Sequence, residues 1–193
     1  MKLLLIRHGL TQWNVERRIQ GHTDTELNEA GRAQIRDWRL PSWCHDAACY
    51  SSPFRRARET AEILGLRAVA APPLREMSWG EWEGLRLADI RRDLGAAMQA
   101  NEARGLDFRP LAGESPREVQ QRALQWLFDL HHDAVVAITH KGVINALYAA
   151  ASSWDMRAAP PDKLRWHCAH EFEVMDRSRL DINALNLPLV AAE

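Results

Sequence analysis

Four consecutive aliphatic residues, Leu3-Leu4-Leu5-Ile6, run without a break into Arg7-His8-Gly9. A strand with one wet face alternates apolar and polar side chains. An unbroken run implies cover on both faces, as in a parallel sheet lying between helical layers. The run is too short for a signal h-region or a membrane span, and Arg7 and His8 end it at once. The pattern recurs at residues 134–139, an apolar strand ending in His140-Lys141-Gly142. A shorter version at residues 47–50 leads into Ser51-Ser52-Pro53.

Between these strands the chain reads as helix. Asn28 is a plausible N-cap for a helix to about residue 38, and Ser52-Pro53 opens another with Pro at its first position. Ser115-Pro116-Arg117-Glu118 is a capping box heading a helix to about residue 130. Residues 143–150 form the helix after the strongest strand. Residues 82–102 are helix-like but interrupted by glycines, residues 66–70 form a weaker strand, and residues 170–175 one more. Strands alternating with helices predict a three-layer α/β/α sandwich with a mainly parallel central sheet. No repeat, low-complexity tract or linker divides the chain, so residues 1–193 are expected to form a single domain.

Composition narrows the function. The 46% hydrophobic and 26% charged content is that of an ordinary globular protein. A formal net charge of -1 gives no broad basic field, and neither a basic stripe nor interleaved aromatics point to nucleic acid. The three cysteines, Cys44, Cys49 and Cys168, form no CxxC pair, which fits reduced thiols and a cytoplasmic address. No P-loop, HExxH, GxSxG or dinucleotide fingerprint is present. No ligand cluster accompanies the His167 and His170 pair, so no metal and no cofactor are expected.

In open α/β sheets ligands sit beyond the carboxyl ends of the strands. If the three apolar strands are parallel neighbours, Arg7, His8, Arg55, Arg56 and His140 converge on one rim. Burying that much positive potential without a partner would be costly, and a dianionic phosphate matches the charge. Helix N-termini after Ser52 and His140 would add their positive dipole ends.

These residues stand in an ordered series of blocks. The series is Leu5-Ile6-Arg7-His8-Gly9 with Thr11-x-Trp13-Asn14, Arg18-x-Gln20-Gly21-x-x-Asp24, Leu27-Asn28-x-x-Gly31, and Ser51-Ser52-Pro53-Phe54-x-Arg56-Ala57 with Thr60-Ala61. Leu74-x-Glu76, Gly80-x-Trp82-x-Gly84, Gly113-Glu114-Ser115 and Thr139-His140 complete it. The series resembles the signature of the histidine phosphatase (phosphoglycerate mutase-like) superfamily and spans most of the chain. The resemblance implies a histidine acid-type phosphatase whose His8 accepts the phosphoryl group. It implies that Arg7, Arg56 and His140 bind the phosphoryl oxygens, with Asn14 as an added donor. It also implies that Glu76 protonates the leaving oxygen and then activates water. Thr11, Gln20, Gly21 and Lys141 complete the expected phosphate- and substrate-binding set.

The chemistry agrees with these roles. Histidine attacks only when one ring nitrogen is unprotonated, so the other nitrogen needs a hydrogen bond that fixes the tautomer. Phosphoryl transfer needs in-line placement and charge neutralisation, which arginines supply. A leaving alkoxide needs a proton, and a carboxylic acid beside an incoming phosphate is suited to give it.

Other positions read as scaffold. Arg55 is expected on a solvated helix face, His131 and His132 at a helix end, and Ser115 equally as a cap or at the substrate mouth. Trp13, Trp79 and Trp82 lie within the motifs and are expected to wall the pocket. Three positions depart from the family pattern: Leu10, Glu26 and Lys141, the last expected to point into water. The resulting reading is a metal-independent phosphomonoester hydrolase acting on a small phosphorylated metabolite, with no nucleic-acid or membrane partner. An exposed edge strand would suit a homodimer. The rival is a bisphosphoglycerate-dependent phosphoglycerate mutase, which would carry a Glu-Arg-His-Tyr-Gly segment where this chain has Arg75-Glu76-Met77-Ser78-Trp79-Gly80. A noncatalytic binding protein would have lost a catalytic residue, and none is lost.

Overall fold

A computed structural model describes residues 1–189. Its centre is a six-stranded sheet made of β1 (Lys2–Arg7), β2 (Ala48–Ser51), β3 (Val69–Ala70), β4 (Ala134–Thr139), β5 (Cys168–Met175) and β6 (Arg179–Pro188). The spatial order is β3-β2-β4-β1-β5-β6. The β1–β4, β2–β4 and β2–β3 pairings are parallel, whereas β5 joins β1 and β6 antiparallel. The sheet is therefore mainly parallel with an antiparallel hairpin on one side.

Alternation explains the two faces. Leu3 and Leu5 of β1, with Val135 and Ala137 of β4, belong to one core. Leu4, Ile6, Val136 and Ile138 belong to the other. All eight side chains are fully buried. At roughly 1.5–3 kcal/mol for each large aliphatic residue, these two strands fix the register of the sheet.

The first face is covered by α6 (Pro116–Asp129) and α7 (Lys141–Ser152), the second by α2 (Glu29–Arg36) and α3 (Arg55–Ile63). The remaining helices are α1 (Gln12–Val15), α4 (Leu87–Leu94) and α5 (Ala96–Glu102). The three-layer sandwich expected from the sequence is thus observed. No helix among the described residues is long and apolar enough to cross a membrane.

Local expectations are met or corrected by identifiable interactions. Ser115 caps α6 as a capping box, with Pro116 in the first turn. Asn28 caps α2 through Gly31 N–H. Pro53 does not open α3, which begins at Arg55 behind a Phe54 N-cap that lends no side chain. Residues 82–102 do not form one interrupted helix: Gly95, at φ +50°, separates α4 from α5. The weak strand at 66–70 shrinks to Val69–Ala70, and β6 and α1 were not anticipated.

Candidate active site

The parallel topology brings the C-terminal ends of β1, β2 and β4 side by side. His8 follows β1, and His140 follows β4 as the N-cap of α7. Their ring centroids lie 5.1 Å apart. A cavity of about 440 Å³ opens here, lined by Arg7, His8, Asn14, Gln20, Gly21, Arg56, Glu76, Lys141 and Gly142 among others.

His8 is held by its own successor. Its Nδ1 lies 2.7 Å from the Gly9 carbonyl oxygen, so Nδ1–H donates and Nε2 carries the free lone pair. Gly9 N–H donates to Thr60 Oγ1, whose hydroxyl donates to the Arg56 carbonyl. That link ties the turn after β1 to α3. Burial foremost, then the Arg7 and Arg56 charges, holds the His8 imidazole well below its ordinary pKa. Burial, with Arg56 next, does the same to His140. Both rings are neutral near pH 7.

The cations are buried and incompletely partnered. Arg56 is inaccessible to solvent, donates to the Thr23 and Gly21 carbonyls at 2.9 and 2.8 Å, and stacks over Phe54. Burial pulls its pKa down to about 10, so it stays protonated. Arg7 lies with its guanidinium 5.9 Å from the Trp166 ring centroid, and burial lowers its pKa as well. His140 Nε2 bonds Ser52 Oγ at 2.8 Å. Arg7 Nε, Arg56 Nε and His140 Nδ1 are buried without a hydrogen-bond partner among the described residues. Buried polar groups are rarely left unsatisfied, and three around one histidine describe a receptor for an anion.

Glu76 faces this cluster from the opposite wall. Its Oε1 accepts from the N–H groups of Met77 at 2.9 Å and Gly142 at 3.0 Å. A Cβ at position 142 would collide with that same oxygen, which is why glycine stands there. The backbone of the segment is anchored from behind. Arg122 donates to the Pro73, Arg75 and Glu76 carbonyls and pairs with Glu114 at 3.1 Å, while His22 Nε2 lies 2.9 Å from the Glu76 carbonyl. Glu83 accepts from His22, Thr23 and Trp79 N–H groups, fixing the neighbouring turn.

The expected binding residues divide. Asn14 Oδ1 accepts from Thr11 N–H, leaving its amide N–H₂ to the cavity. Gln20 Oε1 accepts from Thr11 and Thr25 hydroxyls, which frees its amide in the same way. Gly21 lines the cavity at φ +52°. Thr11 departs from expectation: it is fully buried, does not line the cavity, and orients Asn14 and Gln20 instead. Lys141 departs too. It keeps solvent contact, but it lines the cavity with Nζ 5.3 Å from the Trp166 ring centroid. Of the three tryptophans expected in the wall, only Trp79 lines it. Trp82 packs behind, against Trp79 and Phe108, and the Trp13 ring lies over Gly84.

Arg55 is solvated and pairs with Glu26 and Glu59, as expected. His131 and His132 are exposed after the last turn of α6, His170 is buried on β5, and His167 lies exposed just before that strand. No group able to hold a metal ion is found among the described residues.

Sequence reasoning missed Met156 and Trp166. Both sit in the loop between α7 and β5, where no period marks them, and only packing against the cavity wall or its cations reveals their part.

Residues 3–186 match the profile of the histidine phosphatase superfamily, branch 1. The phosphoglycerate mutase-like protein 4 of Arabidopsis thaliana is 38% identical over 78% of this chain and 70% of its own length. A 2,3-bisphosphoglycerate-dependent phosphoglycerate mutase of Gloeobacter violaceus is 32% identical over 66% of this chain and 62% of its own. The vanadate complex of the mycobacterial glucosyl-3-phosphoglycerate phosphatase superposes with a TM-score of 0.80 at 30% identity. That match covers 96% of this chain and 98% of that one.

Proposed function

Because the chain belongs to the histidine phosphatase superfamily, we propose that it hydrolyses phosphomonoesters through a phosphohistidine formed on His8. The observation that carries this reading is the free Nε2 of His8 among buried, underpartnered donors. Nε2 attacks phosphorus, and the ester oxygen departs in line with the proton of the Glu76 carboxyl. The resulting Glu76 carboxylate then takes a proton from water. The hydroxide so formed displaces His8 Nε2, and inorganic phosphate leaves.

Arg7, Arg56 and His140 meet the equatorial oxygens, over which charge is spread in the transition state. The amides of Asn14 and Gln20 complete the donor set. Lys141 and the α7 N-terminus add positive potential at the rim. Glu76 Oε1 takes the Met77 N–H and the shorter branch of the Gly142 N–H, which also reaches Oε2 at 3.3 Å, so the less engaged Oε2 is the oxygen that exchanges the proton.

A mutase reading is supported by bisphosphoglycerate-dependent relatives, that of Gloeobacter violaceus among them. Against it stands Arg75-Glu76-Met77-Ser78-Trp79-Gly80 in place of the Glu-Arg-His-Tyr-Gly segment expected of such mutases. The test is phosphate release from p-nitrophenyl phosphate and a panel of phosphometabolites, with EDTA and bisphosphoglycerate each present or absent. The expected result is EDTA-resistant release. Interconversion of phosphoglycerates only with added bisphosphoglycerate, and no release, would replace hydrolase by mutase.

A further inference from the structure

Outward from the cations the cavity changes character. Trp79, Leu87, Phe108, Pro116 and Met156 line it, and the same five residues border a second cavity of about 580 Å³ beside it. The wall is preformed. Trp79 and Phe108 pack with ring centroids 5.6 Å apart, and Trp82 buttresses both.

Met156 reaches the wall from the loop between α7 and β5. That loop is docked by Leu106 N–H donating to the Asp155 carbonyl at 3.0 Å. The docking requires Gly105, because a Cβ there would collide with the Asp155 carbonyl. Gly105 and Met156 both hold positive φ, at 59° and 61°. Three separated chain segments thus present apolar side chains to one space beside the phosphate receptor.

A cavity of about 440 Å³ lies in the range typical of sites for drug-sized ligands, roughly 300–1,000 Å³. A three-carbon polar alcohol would leave most of it filled with water against an apolar wall. We propose that this wall is the leaving-group subsite, and that it selects phosphomonoesters whose alcohol carries an apolar body of one or two rings. The inference rests on the phosphatase reading and adds the substrate class to it. Flat rings suit the slot because aromatic edges and a thioether both make favourable contacts with them.

The test compares naphthylethyl phosphate with glycerol phosphate, two alkyl esters with leaving groups of similar basicity. The expected kcat/KM ratio favours the naphthyl ester at least about tenfold, mainly through KM, the scale for burying one ring system. Met156→Gln and Leu87→Gln, both at partly exposed positions, should each cut that ratio several-fold. Equal kcat/KM for two esters that are both hydrolysed would overturn the subsite and leave the phosphatase reading standing. A preference that survives both substitutions would also overturn it. Turnover of neither ester by a protein that releases phosphate from p-nitrophenyl phosphate would overturn the subsite alone, and no release from any of the three would overturn the phosphatase reading with it.

Discussion

The Nδ1 of His8 lies 2.7 Å from the carbonyl oxygen of Gly9, so a nearest-neighbour hydrogen bond decides which imidazole nitrogen is nucleophilic. The partner is a backbone atom, which mutation at position 9 cannot delete. A Cβ at Gly9 would instead strike the Ile35 side chain and shift the turn.

His8→Ala should abolish turnover, by about 10⁴-fold or more, with the fold intact. Quenching with alkaline detergent during incubation with labelled ester should trap a base-stable, acid-labile phosphoenzyme in the parent and none in the variant. Retention of most activity by His8→Ala would end its assignment as nucleophile.

Glu76→Gln should slow esters of poor leaving groups by about 10²–10⁴-fold while affecting p-nitrophenyl phosphate far less. The comparison needs only steady-state kcat on the two ester types. Equal losses on both would remove Glu76 from the general-acid role.

Acid should act on activity and stability in a fixed direction. His8 and His140 are held neutral, so the acid limb of kcat/KM assigned to His8 should lie below the ordinary histidine value of 6.5. In folding, His170 titrates at about 4 because burial disfavours its charged form. The unfolded chain binds the extra proton from about pH 6.5 downward. Stability should therefore be flat above that pH and fall from there toward pH 4. His170→Gln should flatten part of that fall in urea titrations; an unchanged slope would contradict the sign.

Arg122→Met should cost about 2–4 kcal/mol, since it leaves Glu114 without its arginine partner and three carbonyls short of a donor. Denaturant midpoints measure that loss. Because the Glu76 backbone hangs from the same guanidinium, kcat on poor leaving groups should fall more than KM rises.

Trp166→Leu should raise KM several-fold and change kcat little. The ring lies beneath two rim cations, Arg7 and Lys141, each contact worth about 0.5–1 kcal/mol where solvent reaches it. Trp166→Phe should restore much of the loss by returning an aromatic face beneath both cations, and no recovery over Trp166→Leu would contradict the cation–π role.

How much of this was legible in the sequence depended on the signal each element carries. Residues 3–6 and 134–138 announce buried parallel strands because every side chain is apolar. The ordered blocks around His8, Arg56, Glu76 and His140 marked the chemistry. β6 escaped notice because Arg179-Leu180-Asp181-Ile182-Asn183 reads as half-polar edge. Its hairpin also turns at Asp176 and Arg177, both at positive φ, with no glycine to announce the turn. Thr11 was misplaced in the binding set, and Lys141 was expected in water as well as in that set, because side-chain direction is set by partners distant in sequence, Gln20 in one case and Trp166 in the other.

The position of β1 has a consequence for biosynthesis. The strand that leads into His8 is made before both strands that flank it, β4 and β5, which come from the last third of the chain. Its two edges have no sheet partner until residues 134–139 and then 168–175 have been made. Long-range pairing of this kind forms late and leaves a sticky apolar strand waiting in the nascent chain. The site at the end of β1 cannot assemble while the chain is still being translated through its central helices, and β1 is a strand in need of protection until then.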